Sequence, residues 1–139
     1  MTAIRMHASC VSIAGRGVLL TGASGAGKSD LALRLIDCGA RLVSDDYTDL
    51  RANSGQLVAT APDTIAGLIE LRGLGLIRVS ALPETVVHLL VELDKPVERL
   101  PEPRETVIAG VPLPVTSISP FEASAPIKLE WMLSRIGSA

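Results

Sequence analysis

Aromatic residues are scarce in this chain of 139 residues, which contains one Trp, one Tyr and one Phe. The hydrophobic content of 47% is therefore mostly aliphatic, and it predicts a core packed from Leu, Ile, Val and Ala side chains. No apolar run approaches the ~20 residues of a membrane-spanning helix, and the first residues lack the pattern of a signal peptide. We expect one domain over residues 1–139, with no membrane partner.

Cysteine is also scarce, and neither sign of charge is in large excess. The two cysteines, Cys10 and Cys38, are too few for a disulfide framework and form no metal-binding cluster. The formal net charge is −2 and no basic run occurs, which argues against nucleic acid as a partner. We therefore expect a protein of the reducing cytoplasm.

One glycine-rich segment fits the phosphate-binding pattern G-x-x-x-x-G-K-[ST] at every defined position. An apolar stretch at residues 17–21 precedes it and is typical of a buried strand, while the apolar residues of 30–38 fall on one helical face. This strand and helix disfavour the competing interpretation of an ordinary glycine-rich turn. The segment consists of Gly22, Ala23, Ser24, Gly25, Ala26, Gly27, Lys28 and Ser29.

The residue types of this segment explain its predicted chemistry. The glycines let successive backbone N–H groups point into one concavity at the start of a helix, where anions bind. Lys28 can reach the β- and γ-phosphates of a nucleotide, and the hydroxyl of Ser29 can ligate Mg²⁺. The segment predicts binding of a nucleotide or another polyphosphate without identifying the acceptor.

The rest of the chain predicts an α/β fold that is rich in strands and has few helices. A final helix at 127–136 should be entered through Ser124 and Pro126, and six prolines between 95 and 120 predict edge strands and loops there. The other strands are expected at 6–13, 41–44, 47–51, 56–60 and 86–93. The inner face of the final helix is expected to carry Ile127, Trp131, Met132 and Ile136.

Acidic residues follow two of these elements. Asp45 and Asp46 end the strand after the glycine-rich segment, where ligands gather at the edge of an α/β sheet, so we favour a catalytic pair over a solvated turn. Glu70 lies in the segment 69–77, IELRGLGLI. This segment is either an edge strand with Glu70 on its solvent-exposed face or a strand that binds a metal through Glu70. Its spacing alone does not separate these two interpretations.

Together, His7, GASGAGKS at 22–29, GARLVSDD at 39–46 and IELRGLGLI at 69–77 resemble the catalytic domain of HPr kinase/phosphorylase. The resemblance covers residues 7–79 and implies a P-loop kinase domain like that of phosphoenolpyruvate carboxykinase. It implies a serine kinase that phosphorylates HPr, the phosphocarrier of bacterial phosphotransferase systems, with ATP or pyrophosphate and Mg²⁺. It also implies a homohexamer.

The resemblance assigns roles that the residues alone do not. It makes Asp46 the base that accepts the serine proton, supported by Asp45, and makes Glu70 the second Mg²⁺ ligand beside Ser29. It gives His7 a role in polarising the catalytic centre, although an isolated His7 would be interpreted as a strand histidine. It gives Arg99 a role in stabilising the transferring phosphate, whereas by itself Arg99 is a surface charge.

The sequence departs from the family pattern in three ways. His7 lies close to the start, which predicts a short form with the catalytic domain only, and residues 80–85 are a shorter loop than usual. The Gly-Arg-Asn loop that serves dephosphorylation is replaced at 119–124 by SPFEAS, so phosphorolysis is doubtful. A P-loop kinase or phosphatase of a small molecule and a non-catalytic nucleotide sensor remain as alternative functions.

Overall fold

The computed structural model describes residues 3–136 and contains eleven strands and two α-helices within them. The strands are β1 (Ile4–Met6), β2 (Ala8–Ile13), β3 (Arg16–Thr21), β4 (Arg41–Ser44), β5 (Thr48–Asn53), β6 (Gln56–Thr60), β7 (Leu68–Leu71), β8 (Gly75–Arg78), β9 (Glu84–Glu92), β10 (Arg104–Ile108) and β11 (Val111–Ser117). The helices are α1 (Lys28–Asp37) and α2 (Ala125–Arg135). This confirms the expectation of a strand-rich α/β fold with few helices.

Nine strands form one branched sheet, in the order β1-β5-β6-β9-β3-β2-β4 with β11 and then β10 beside β9. The first half of β9 pairs with β6 in antiparallel fashion, and its second half pairs with β11 in parallel. The strands β7 and β8 form a separate hairpin. Because β3, β9 and β11 are parallel, their carboxyl ends meet at one edge, with Glu92 opposite both Thr21 and Ser117.

Both faces of the central strands are buried, which explains why β3 and β9 are nearly continuous apolar runs. Val18 and Leu20 pack with the two helices on one face, whereas Leu19 packs on the other face. The same alternation places Leu89 and Val91 on the helical face of β9. The helices contribute an apolar stripe each, and Leu31 and Leu129 are fully buried.

Two of the turns carry backbone angles that their residue types favour. Ser54 and Gly55 both have positive φ and join β5 to β6, as a two-residue hairpin turn requires. Gly39 ends α1 in the left-handed region with φ 104°, and Ala40 N–H reaches back to the carbonyl of Leu35. This is the Schellman ending that the glycine predicts.

Most expected elements are present with ends shifted by one or two residues, and two of the differences in boundaries affect candidate site residues. The strand expected at 6–13 is interrupted at His7, so that β1 pairs with β5 while β2 pairs with β3 and β4. Helix α1 begins at Lys28, two residues before the expected start, because the turn after Gly27 is already helical. As a result, His7 lies between β1 and β2, and Lys28 is the first residue of α1.

The proline-rich part of the chain forms an edge, as expected. Pro112 and Pro114 lie in the first half of β11, where the strand has β10 as its neighbour, while pairing with β9 begins at Val115. Proline has no N–H to donate to a sheet ladder, so it suits a stretch of strand that has a neighbour on one side only. Residues 95–103 form a loop.

The expected inner face of the final helix is wrong for two of its four residues. Ile127 is 55% exposed and Trp131 is 70% exposed, while Leu129 and Leu133 are buried. Met132 and Ile136 do pack against the core. The helix carries two apolar stripes, and burial of Ala125 and Pro126 at its start turns the Leu129 stripe inward. Neither helix in residues 3–136 is long and apolar enough to cross a membrane.

Candidate active site

The segment 22–27, which we call the glycine loop, connects β3 to α1 at the carboxyl edge of the parallel strands. Its last residue, Gly27, has φ 102° and caps α1. A Cβ at Gly27 would lie 2.9 Å from Cζ of Phe121, so this position excludes a side chain by both angle and space. The loop thus delivers the N-terminus of α1, with its free N–H groups, to the edge of the sheet.

Two side chains hold the glycine loop in place. Lys28 is buried, and its Nζ donates to the carbonyls of Gly22 at 2.8 Å and Ala23 at 3.1 Å. The carboxylate of Asp94 accepts from Ala23 N–H at 3.0 Å. The ammonium group therefore lies over the glycine loop, next to the helix N-terminus.

Asp45 connects three separate segments through its buried carboxylate. Its Oδ1 accepts from Ser9 Oγ at 3.0 Å and from Ser29 Oγ at 2.7 Å, and its Oδ2 accepts from Glu70 N–H at 2.9 Å. The residue is 5% exposed, so these three donors compensate the cost of burying the charge. Asp45 thereby ties β2, the start of α1 and the hairpin β7–β8 to the end of β4.

Asp46 points into a different environment from its neighbour. Tyr47 N–H bonds to the carbonyl of Asp45 across a three-residue turn, and Asp46 at its centre has φ 69°, a rare region for a residue with a side chain. His7 Nε2 donates to Asp46 Oδ1 at 2.8 Å, and the His7 ring stacks on Tyr47 with centroids 5.0 Å apart. The Asp46 side chain is 54% exposed. Non-glycine residues with positive φ angles cluster at active sites, so the turn at Asp46 is consistent with a functional role.

The oxygen atoms around Ser29 fit a magnesium ion, although residues 3–136 contain no cluster of three or more His, Cys, Asp or Glu suited to a metal. Mg²⁺ is commonly held by one or two carboxylates together with waters and substrate phosphates, so it needs no such cluster. Ser29 and Asp45 are in direct contact, and Glu70 is attached to the same carboxylate through its backbone. The Glu70 side chain itself is exposed.

Arg99 is the one predicted site residue that the structure does not bring to this cluster. It lies exposed in the loop 95–103, and within residues 3–136 no hydrogen bond or ion pair joins it to the other candidates. A different arginine, Arg104, bonds to Glu92 Oε1 at 3.0 Å and to Ser117 Oγ at 2.9 Å at the carboxyl edge.

Three residues of the site were missed by the sequence analysis. Ser9 accepts from Asp46 N–H while donating to Asp45, so one hydroxyl orders both carboxylates. Tyr47 stacks on His7. Asp94 is the second residue after β9, and the rule that ligands gather where parallel strands end could have found it. No signal in the sequence points to Ser9, because its role depends on the pairing of β2 with β4.

Comparison with known proteins gives concordant results. Residues 1–119 match the model of the HPr serine kinase C-terminal domain. HPr kinase/phosphorylase of Clostridium beijerinckii is 47% identical over 78 residues, which are 56% of this chain and 26% of that protein. The Clostridium novyi protein of the same name is 41% identical over 98 residues, 66% of this chain and 32% of that protein. The chain thus matches about a quarter to a third of these relatives' lengths.

A solved structure resembles nearly the whole chain. It is the HPr(Ser) kinase/phosphatase of Coxiella burnetii, which superposes with a TM-score of 0.82 at 30% identity over 94% of both chains. The fold, the family model and the sequence relatives agree with one another. From these matches, the chain belongs to the HPr serine kinase C-terminal domain family.

Proposed function

We propose that the protein is an ATP- and Mg²⁺-dependent kinase that phosphorylates a serine of the phosphocarrier HPr. The observation that carries this proposal is the convergence on Asp45, where the helix N-terminus with Lys28 and Ser29 meets the carboxylates at the end of β4. The names of the related proteins support HPr as the acceptor.

The residues of the glycine loop would bind the triphosphate of ATP. Backbone N–H groups at the start of α1 face an anion favourably, and Lys28 lies close enough to exchange its contacts with Gly22 and Ala23 for phosphate oxygens. Ser29, supported by Asp45 and Glu70, would hold Mg²⁺. When bound, the ion neutralises charge on the β- and γ-phosphates.

Asp46 would act as the base. As the serine oxygen forms its bond to the γ-phosphorus, the bond from that phosphorus to the β–γ bridging oxygen breaks and ADP leaves. The serine proton passes to the carboxylate of Asp46, whose Oδ1 is held by His7. Because the Asp46 side chain is 54% exposed, a serine on the surface of another protein can reach it without a closing movement.

Three family properties stay predictions from the resemblance. The first is the hexamer, and the second is the cytoplasmic location. The third is the contribution of Arg99, which would have to reach the transferring phosphate from its exposed loop.

Transfer to HPr in the presence of ATP and Mg²⁺, read by mass spectrometry, tests the proposal. Asp46→Asn should lower the rate by ~10²–10⁴, because it removes the proton acceptor, while ATP binding is kept. Asp49→Asn is the matched control, since it alters a neighbouring carboxylate that pairs with Arg5. Modification of a metabolite in place of HPr would favour a small-molecule kinase, and binding without any transfer would favour a nucleotide sensor.

A further inference from the structure

A cavity of about 540 Å³ lies beside the glycine loop. Its walls come from Ala26 of the glycine loop, residues 93–95 after β9 and residues 118–122 before α2. Neither Asp45 nor Asp46 lines it. Its volume lies in the range of small-molecule sites, roughly 300–1,000 Å³. We call it the loop-side cavity.

Phe121 presents an aromatic ring at this cavity. It is the single Phe of the chain and is 67% exposed, although aromatic rings are scarce in this protein. The ring lies against Gly27, where a Cβ would come within 2.9 Å of Cζ. Arg34 fixes the segment by donating to the carbonyls of Pro120 and Glu122. An exposed ring on an anchored backbone offers a stacking surface for a nucleobase.

Polar groups accompany the apolar walls. Leu93 and Ile118 are apolar, while Asp94, Lys95 and Ser119 offer acceptors and donors. Asp94 also contacts the glycine loop through Ala23 N–H, so the cavity and the glycine loop share one carboxylate. Apolar walls with a few convergent polar groups are the usual composition of a site for a ring-containing small molecule.

We propose that the loop-side cavity binds the nucleoside of the phosphoryl donor, with Phe121 stacked on the base. This inference rests on the proposed function, because the phosphates of the same ligand must bind at the glycine loop. Ala26 belongs both to the glycine loop and to the cavity wall, so one ligand can occupy both. The cavity would therefore select nucleoside triphosphates over inorganic polyphosphates.

Calorimetry with ADP and with pyrophosphate, each with Mg²⁺, separates the two parts of the ligand. The wild-type protein should bind ADP more tightly than pyrophosphate. Phe121→Ala should weaken ADP binding by about tenfold, the effect of losing one base–aromatic stack, and leave pyrophosphate within about twofold. Phe121→Tyr keeps the ring and should restore ADP binding.

A second variant controls for the possibility that Phe121→Ala weakens ADP binding by changing the backbone at Gly27, which the ring contacts. Ser119→Leu fills the cavity from another wall and should also weaken ADP binding selectively. Equal losses for ADP and pyrophosphate in both variants, or no loss for ADP, would overturn the nucleoside site while leaving phosphate binding by the glycine loop intact. Failure of the wild-type protein to bind either ligand would overturn the proposed function and this inference together.

Discussion

Ser29 Oγ donates a 2.7 Å hydrogen bond to Asp45 Oδ1, and this contact joins the first turn of α1 to the end of β4. The two residues are 16 positions apart in the sequence, and the same carboxylate also holds Glu70 N–H, 25 positions away. Asp45 is therefore a structural centre of the site as well as a candidate for supporting the metal.

Asp45→Asn should destabilise the fold and weaken Mg²⁺-dependent nucleotide binding. The amide can satisfy the two serine hydroxyls with its oxygen, but its NH₂ group then faces Glu70 N–H, and one buried donor is left unpaired. Such a group costs ~1–3 kcal/mol in the free energy of unfolding, measured by urea denaturation. Asp30→Asn is the control, because it removes an exposed pair with Arg34. Equal stability of the two variants would contradict the structural role of Asp45.

The backbone at Asp46 should store measurable strain. Asp46→Gly and Asp46→Ala both remove the carboxylate and its contact with His7, but only glycine adopts φ 69° without steric cost. The glycine variant should be more stable than the alanine variant by ~1 kcal/mol in urea denaturation. Both should phosphorylate HPr more slowly than the wild-type protein by ~10²–10⁴, because both lack the proton acceptor. An alanine variant at least as stable as the glycine variant would show that the turn is unstrained.

Cys10 should be unreactive in the folded protein, because burial raises the pKa of its thiol from 9.0 to about 12. Cys38 is exposed, so Cys38→Ser isolates Cys10. At pH 8 this variant should react with a thiol reagent only after denaturation. Rapid labelling of the folded variant would contradict the burial.

The raised pKa of the Cys10 thiol makes the free energy of unfolding depend on pH. The unfolded thiol loses its proton near pH 9 while the folded thiol keeps it, so the folded state binds more protons above pH 9. The contribution of this group is complete below pH 9 and is lost as the pH rises towards about 12. The difference in unfolding free energy between the Cys38→Ser protein and its Cys10→Ala derivative should shrink over this window.

Phosphorolysis should be weak. Residues 119–124 lie beside the glycine loop and carry no cationic side chain, and Glu122 contributes a carboxylate there that is paired with Lys128 at 3.2 Å. A second phosphate brought against phosphoserine therefore gains no new cation from this segment. With phosphoserine-HPr and millimolar phosphate, pyrophosphate release should be at least about tenfold slower than the forward reaction. Release at the forward rate would show that other residues hold the incoming phosphate.

The sequence predicted the parts of the site that are local. The pattern around Lys28 predicted a loop between a strand and a helix. The position of Asp45 after a short apolar strand predicted that it lies at the edge of a sheet. The roles of Asp45 and Asp46 were not separable in this way. Burial of Asp45 depends on Ser9, which reaches it only through the pairing of β2 with β4.

Helix α2 illustrates a second limit. Its sequence contains two apolar stripes, one through Ile127 and Trp131 and one through Leu129 and Leu133, and periodicity ranks neither above the other. The packing of Ala125 and Pro126 decides between them, and this contact belongs to the tertiary structure. Trp131 remains outside as a result.

The activity that we propose for this chain is transfer of the γ-phosphoryl group of ATP to a serine of HPr. The most direct measurement follows ADP and phosphoserine-HPr in the same reaction with Mg²⁺, for the wild-type protein, Lys28→Ala and the control Arg51→Ala, which removes a cation of β5 that pairs with Glu84. We predict one phosphoserine for each ADP with the wild-type and Arg51→Ala proteins and neither product with folded Lys28→Ala. ADP without phosphoserine, or an unchanged rate with Lys28→Ala, would contradict the account.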